Sequence, residues 1–303
     1  MNAQEKAVAR IFFQNKIYRS DGQSFQDLFN DIMSYAYSDF RRIKAWGNIG
    51  DEKNDGYFEN NGIYYQVYAP EDLSKSYVET VNKIERDFSG LLEYWDNVNQ
   101  FYFVVNDKYK GVHAESEKTL TNLKTKHSLE KSGFLTSDNL ENELFKLQDD
   151  HIYKIIGFLP DIEKIVNLDY TVLNEVIGFI MKQPLKPITG EIKFPDWDEK
   201  IKFNKLSPFS TGLLNHGSQT LGSLEKFLAT RTSLAEELQQ HMTRTYESIK
   251  EEWKDLSVEG DNIFYEIIDR CSPRKENSFQ LAVVTIMSKY FESCDIFEEP
   301  IKE

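Results

Sequence analysis

The sequence predicts an α/β domain over residues 1–160 followed by an all-α domain over residues 161–303, and three stretches carry that division. Gly56–Glu59 and Ile63–Tyr68 read as two short strands, with Asn60-Asn61-Gly62 between them as a tight turn whose residues tolerate positive φ. Gln100–Asn106, QFYFVVN, is a continuous apolar run of strand length and composition, suited to the buried middle of a sheet. Beyond Pro160 the strand patterns give way to long stretches of helical periodicity.

Taken in order, Ala7–Tyr18 predicts a short helix or arm that packs Ile11, Phe12 and Phe13. Ser24 is expected to cap a helix through Tyr37, with Phe25, Leu28, Phe29, Ile32 and Met33 on its buried face. Phe40–Ile43 reads as the first strand, where Arg41 and Arg42 either touch backbone phosphate or form a solvated edge. Pro70 ends the second hairpin strand because it has no amide hydrogen for the ladder. Asp72–Tyr94 is amphipathic, with Val78, Val81, Ile84, Phe88, Leu91 and Leu92 expected inward. Lys108 and Lys110 either reach a phosphate or mark a loop, and a helix follows from about Ala114 through Lys126. Leu135–Asp138 opens another that runs through Leu140, Leu144 and Leu147 toward Ile155, Ile156 and Leu159, where Pro160 stops or kinks it.

In the second domain Asp169–Lys182 is helical, and Gln183–Leu206, holding Pro184, Pro187, Gly190 and Pro195, is expected to be a long irregular segment. Helices follow over about Thr211–Ala229 and Thr232–Trp253, the latter opened by a capping box at Ser233–Glu236. Asn215-His216-Gly217 reads as a break between helical patterns. Asp261–Cys271 and Asn277–Phe291 are two more helices, separated at Ser272-Pro273.

Composition narrows the function classes. A chain of 303 residues with 40% hydrophobic and 28% charged residues can bury a sizeable core in two soluble domains. Its aromatic share, 14%, is high and falls on helical and strand patterns, as large core side chains do. The formal charge of −14 argues against a freestanding high-affinity DNA binder, though not against a nuclease delivered by a partner. Cys271 and Cys294 are too few for a disulfide framework or zinc site and are expected as buried thiols. The five histidines show no HxH or HExxH spacing and are expected at the surface or in caps. No GxxxxGK(S/T) loop and no GxGxxG is present, so nucleotide-phosphate binding of those kinds is not expected. There is neither a signal-peptide pattern nor a run of roughly 20 apolar residues, so a cytoplasmic location away from the membrane is expected.

The chemistry concentrates at the hairpin. Asp55 closes the approach to the first strand and Gln66 stands in the middle of the second. A carboxylate and an amide oxygen so placed suit Mg²⁺, which takes one or two carboxylates and completes its shell with water or phosphate. The order Gly47-x-x-Gly50-Asp51-x-x-x-Asp55-Gly56, hairpin, Gln66-Val67-Tyr68 resembles the Mrr-like branch of the PD-(D/E)xK nuclease superfamily. That resemblance implies a restriction-endonuclease-like mixed sheet flanked by helices and metal-dependent cleavage of double-stranded DNA. It also implies Mg²⁺ or Mn²⁺ held by Asp55 and Gln66 with support from Asp51. Two departures stand out: Tyr68 occupies the place of the family's lysine, and Gln26 the place where the first helix often carries Glu. If residues 51–55 run extended, alternation sets Asp51, Lys53 and Asp55 on one face and lets Lys53 substitute for that lysine. The other reading of the same departures is a decayed site with Glu52 and Lys53 in a solvated turn.

The chain end carries a second resemblance. Residues 282–298, AVVTIMSKYFESCDIFE, with the pair Tyr290-Phe291, Cys294–Glu298 and, at the start of the domain, Phe203–Leu206, resemble the C-terminal helical domain of effector subunits in bacterial ABC-three-component systems. That group includes Lamassu anti-phage defence. The resemblance implies an SMC- or ABC-type ATPase partner that senses foreign DNA, a small third subunit, docking through the C-terminal domain, and homo-oligomerisation on activation. Three readings stay open: an effector endonuclease, an inert nuclease-fold scaffold or regulator of the same complex, and an α/β plus helical binding protein of another kind.

Overall fold

The computed structural model describes residues 1–43, 52–70, 77–157, 159–160, 168–183, 197–229, 231–293 and 295–300. The chain divides into two compact units, Lys16–Ile156 and Met1–Asn15 with Gly157–Glu303. The first helix, α1 (Ala3–Arg19), therefore contributes its first thirteen residues, 3–15, to the helical unit and its last four to the sheet-containing one.

The sheet-containing unit is built on five strands in the order β1 (Arg41–Arg42), β2 (Gly56–Phe58), β3 (Ile63–Tyr68), β4 (Gln100–Val105) and β5 (Lys131–Leu135). The first two pairings are antiparallel and the last two parallel, a mixed sheet. Helices α3 (Tyr77–Tyr94) and α4 (Ala114–His127) are the crossovers that parallel neighbours require. Helix α2 (Gly22–Ala36) precedes the sheet, and α5 (Ser137–Leu144) and α6 (Asp149–Ile156) follow it.

Alternation along β3 assigns its side chains to two layers. Tyr65 sets its ring 5.5 Å from Phe29 of α2 and 6.0 Å from Phe58. Tyr64 joins a cluster with Ile84, Phe88 and Leu91 of α3, Phe101 and Phe103 of β4, and Leu120 of α4. Phe58 and Ile63 are joined by a 3-10 turn over Glu59–Asn61 and by Gly62, whose φ of 59° is left-handed. A Cβ there would also overlap the Asn97 carbonyl, so glycine is required twice over.

Several elements differ from the sequence reading. Asp21, not Ser24, caps α2; the Ser24 hydroxyl instead accepts from the Asp21 amide at 3.0 Å, reaching back as the third helical residue. Val78 and Leu92, expected inward on α3, are exposed. The helix expected through Leu147 to Ile156 is two, α5 and α6, interrupted over residues 145–148. β5 has no counterpart in the sequence reading, because KSGFL is short, opens on a lysine and contains a glycine.

The helical unit holds, among the described residues, α7 (Tyr170–Ile180), α8 (Trp197–Phe203), α9 (Pro208–Leu228), α10 (Thr232–Glu252), α11 (Gly260–Cys271) and α12 (Asn277–Glu292). Every residue from Phe279 to Ser288 is buried, so α12 is enclosed on all sides rather than amphipathic. Within the stretch expected to be irregular, Trp197–Phe203 is helical; Pro184, Pro187, Gly190 and Pro195 lie outside the described residues. Asn215-His216-Gly217 does not break a helix but lies inside α9, where Gly217 faces Val284 and Ser288 of α12. The expected capping box at Ser233 is absent: α10 begins at Thr232, and Arg231 makes no side-chain cap. No helix among the described residues is long and apolar enough to cross a membrane.

Cys271 is fully buried, and burial pushes its thiol up to about 12; Cys294 lies outside the described residues. His113 caps α4, accepting from the Glu115 amide at 3.2 Å, but His241, expected at the surface or in a cap, is buried in α10. Burial, helped by the nearby Arg244, lowers its pKa against the opposing pull of Glu237. An unfolded chain therefore protonates this imidazole first as pH falls below 6.5, and stability present above that value is lost. Thermal melts between pH 8 and 5 should show a decline in Tm below about pH 6.5 that His241→Gln flattens. An unchanged slope in the variant would assign the decline to other groups.

Candidate functional site

The site begins where β2 stops. Its last ladder pair is Gly56 with Tyr65, which leaves the amide of Val67 on that edge of β3 without a backbone partner from β2. Asp55 supplies one. Its own amide donates to the Tyr65 carbonyl at 2.9 Å, and its Oδ2 accepts from the Val67 amide at 2.6 Å. Its Oδ1 accepts from Gln26 Nε2 of α2 at 2.5 Å. Just beyond, the Gly22 amide at the start of α2 donates to the Ala69 carbonyl at 2.7 Å. Asp55 is thus nearly buried, and it engages the residues on either side of Gln66.

Gln66 alternates with Tyr65, so its side chain leaves the sheet on the side of Tyr64 and Tyr68, toward α3. It is 4% exposed, and its Oε1 has no hydrogen-bond partner among the described residues. A buried amide oxygen left unmatched is costly, roughly 1–3 kcal/mol, and needs a reason.

Lys53 does not join Asp55 in the way the sequence suggested. Glu52 and Lys53 have φ of 51° and 62°, so the approach to β2 is turned, not extended, and the alternation argument for Lys53 does not apply. The Lys53 ammonium lies 3.4 Å from Asp87 Oδ1 of α3 instead. Asp87 is fully buried and also meets Lys83 at 2.5 Å and Arg86 at 3.5 Å. Lys83 stands 5.3 Å from the centre of the Tyr68 ring, so the tyrosine in the lysine's place has an ammonium over it. Neither Lys83 nor Asp87 was singled out in the sequence, where both fall on the polar stripe of an amphipathic helix. Asp51 lies outside the described residues.

The donors available suit a hard divalent cation. The Asp55 carboxylate and Gln66 Oε1, the latter without a hydrogen-bond partner among the described residues, are hard oxygen donors. They amount to one carboxylate and one amide oxygen, with the rest of a Mg²⁺ shell left to water and phosphate; among the described residues no group of three or more His, Cys, Asp or Glu is placed to hold a metal. Gln26 draws the Asp55 carboxylate toward α2 while Gln66 points toward α3, so sharing one cation requires the carboxylate to turn away from Gln26.

In the helical unit the two stretches singled out in the sequence meet. Asn204 Nδ2 donates to the Glu298 carbonyl at 2.8 Å, and the Glu298 amide donates to Asn204 Oδ1 at 3.0 Å. The buried Lys200 ammonium donates to the Phe291 carbonyl at 2.7 Å and lies 4.5 Å above its ring. Tyr246 donates to Glu298 Oε1 at 2.9 Å, and Lys250 pairs with the same oxygen. These bonds, the Lys250 one foremost, hold the Glu298 carboxyl below the usual range against the effect of burial. Phe297 packs between Phe291 at 5.6 Å and Tyr246 at 5.2 Å.

Residues 171–298 match the family model for C-terminal domain 10 of the ABC-three component (ABC-3C) systems. The match supports membership in such a system while covering less than half the chain. It opens one residue into α7 and closes on Glu298, the residue clamped by Asn204, so the clamp is internal to the matched residues. Residues 16–156, with Asp55 and Gln66, lie outside it. No curated protein and no solved structure matches the chain.

Proposed function

We propose that this chain is the effector subunit of an ABC-3C anti-phage or anti-plasmid defence complex, and that its sheet-containing unit is a metal-dependent DNA endonuclease of the Mrr-like PD-(D/E)xK kind. The observation that carries the nuclease part is the pairing of a buried Asp55, bonded on either side of Gln66, with an unmatched Gln66 oxygen. The family match carries the assembly part. Docking to an ABC- or SMC-type ATPase and a small third subunit is assigned to the helical unit.

Mg²⁺ or Mn²⁺ bound by Asp55 and Gln66 would supply Lewis-acid activation of the scissile phosphate and of water. The chain's own residues set the resting condition. Gln26 holds one Asp55 oxygen, and Asp87 holds the Lys53 ammonium. Turning Asp55 from Gln26 frees an anionic lone pair toward Gln66. Lys83, which stands over Tyr68 and pairs with Asp87, would orient a phosphate in the position of the family's lysine. A chain of net charge −14 binds DNA weakly alone, which suits an enzyme brought to its substrate by an ATPase.

A second reading, the inert scaffold or regulator, is favoured by one observation: Tyr68 stands in place of lysine while Lys53 is engaged with Asp87. Co-expression with a candidate ABC- or SMC-type ATPase partner tests both. The effector reading expects a stable complex that linearises or nicks plasmid in Mg²⁺ or Mn²⁺, with the isolated chain much weaker. A stable complex that cuts in neither metal leaves the scaffold; no complex removes the assembly reading.

A further inference from the structure

A second cleft in the sheet-containing unit plays no part in the scheme above. It opens between the end of α2 and the segment from α5 to α6, with a volume of about 220 Å³. Tyr35 and Tyr37 form one wall, and Glu143, Lys146, Gln148 and His151 the other.

Its chemistry is unlike that of the core. The buried face of α2 is Phe25, Leu28, Phe29, Ile32 and Met33, whereas Tyr35 is 40% and Tyr37 37% exposed. The His151 ring stacks on Tyr35 with centroids 4.4 Å apart and planes 20° apart. Lys154 brings its ammonium within 5.7 Å of the Tyr35 centroid. Glu143 does not present a bare carboxylate, since Tyr37 donates to one oxygen at 2.8 Å and Lys146 to the other at 2.6 Å. A stacked aromatic pair and an amide in an open hollow, with the Lys154 ammonium beside Tyr35, match the parts of a nucleotide: a base with a π-face, a polar edge and a phosphate. The hollow is smaller than the roughly 300–1,000 Å³ of drug-sized pockets, which limits it to a single base.

We propose that this cleft binds one unit of a nucleoside phosphate, its base stacked on the Tyr35–His151 pair and its phosphate held by Lys154. Where the ligand is a nucleic-acid strand, the inference rests on the effector reading given above.

The test is fluorescence anisotropy of the full chain with a labelled oligothymidylate, in EDTA and at low salt, with unlabelled thymidine monophosphate as competitor. Wild-type protein should bind, and Tyr35→Ala and His151→Ala should each weaken binding on the order of ten-fold or more. Tyr35→Phe, which keeps the ring, should stay within about two-fold. Lys154→Ala should weaken binding and reduce its salt dependence; being remote from the packed face of α2, it serves if a ring variant fails to fold by circular dichroism. Competition by the monophosphate would assign the cleft to free nucleotide, and its failure to a strand; either supports the site. No binding by wild type, or equal affinity in wild type and folded variants, overturns it. Because EDTA prevents metal-dependent cleavage, Tyr35-dependent binding stands even if the nuclease reading fails. Cleavage with unaltered binding in the folded variants would remove the cleft alone.

Discussion

Asp55→Ala should reduce Mg²⁺-dependent plasmid cleavage by the assembled complex on the order of 100-fold or more. Losing the one described carboxylate of the site removes several kcal/mol of charge stabilisation, and each 1.4 kcal/mol or so is ten-fold in rate. The same substitution strips Val67 of its acceptor and Gln26 of a partner, each costing roughly 1–3 kcal/mol of stability. Asp55→Asn separates the two effects. It keeps an acceptor oxygen and the side-chain shape, so the fold should melt close to wild type while cleavage is still lost. Nicking that survives in both variants would point to another site or to a contaminant.

Gly217→Val should strongly destabilise the helical unit. Helix α9 meets α12 at this glycine, where a Cβ would overlap Ser288 Oγ and come within 2.9 Å of the Val284 carbonyl oxygen. The serine can rotate, although its hydroxyl is already bonded to the Leu214 and Val284 carbonyls at 2.9 Å each. The backbone oxygen cannot retreat without moving α12, which is buried along most of its length. Overpacking of this kind costs roughly 1–3 kcal/mol, and a β-branched residue adds to it. Thermal denaturation of the full chain should show a clear fall in Tm, and pull-down by the ATPase should fail with it. A variant as stable as wild type would mean that α9 and α12 do not pack so closely.

The sequence made the hairpin legible because a turn of Asn-Asn-Gly between alternating apolar runs has few alternatives, and β4 because a six-residue apolar run has nowhere to go but a sheet centre. That Asp55 lies alongside the strand of Gln66, bonded to Tyr65 and Val67, followed from that register. What escaped depended on contacts between distant residues. Lys53 turns back to Asp87 through two left-handed, non-glycine residues, a conformation that side chains disfavour and that no local pattern announces. Gly217 resembles a helix break until α12 is laid against it. The Tyr35–His151 stack joins residues from α2 and α6, neither of which carries a motif. In the helical unit, Asn204 and Glu298 were both within stretches singled out in the sequence, but only the fold shows one clamping the other.

Electron paramagnetic resonance of Mn²⁺ addresses most directly whether positions 55 and 66 together bind an ion. Titrated into the full chain, Mn²⁺ should show a bound fraction that disappears in Asp55→Asn and weakens in Gln66→Leu, with Asp87→Asn unaffected. Retention of wild-type binding in Asp55→Asn would show that the ion sits elsewhere, and would leave the sheet-containing unit without its proposed chemistry.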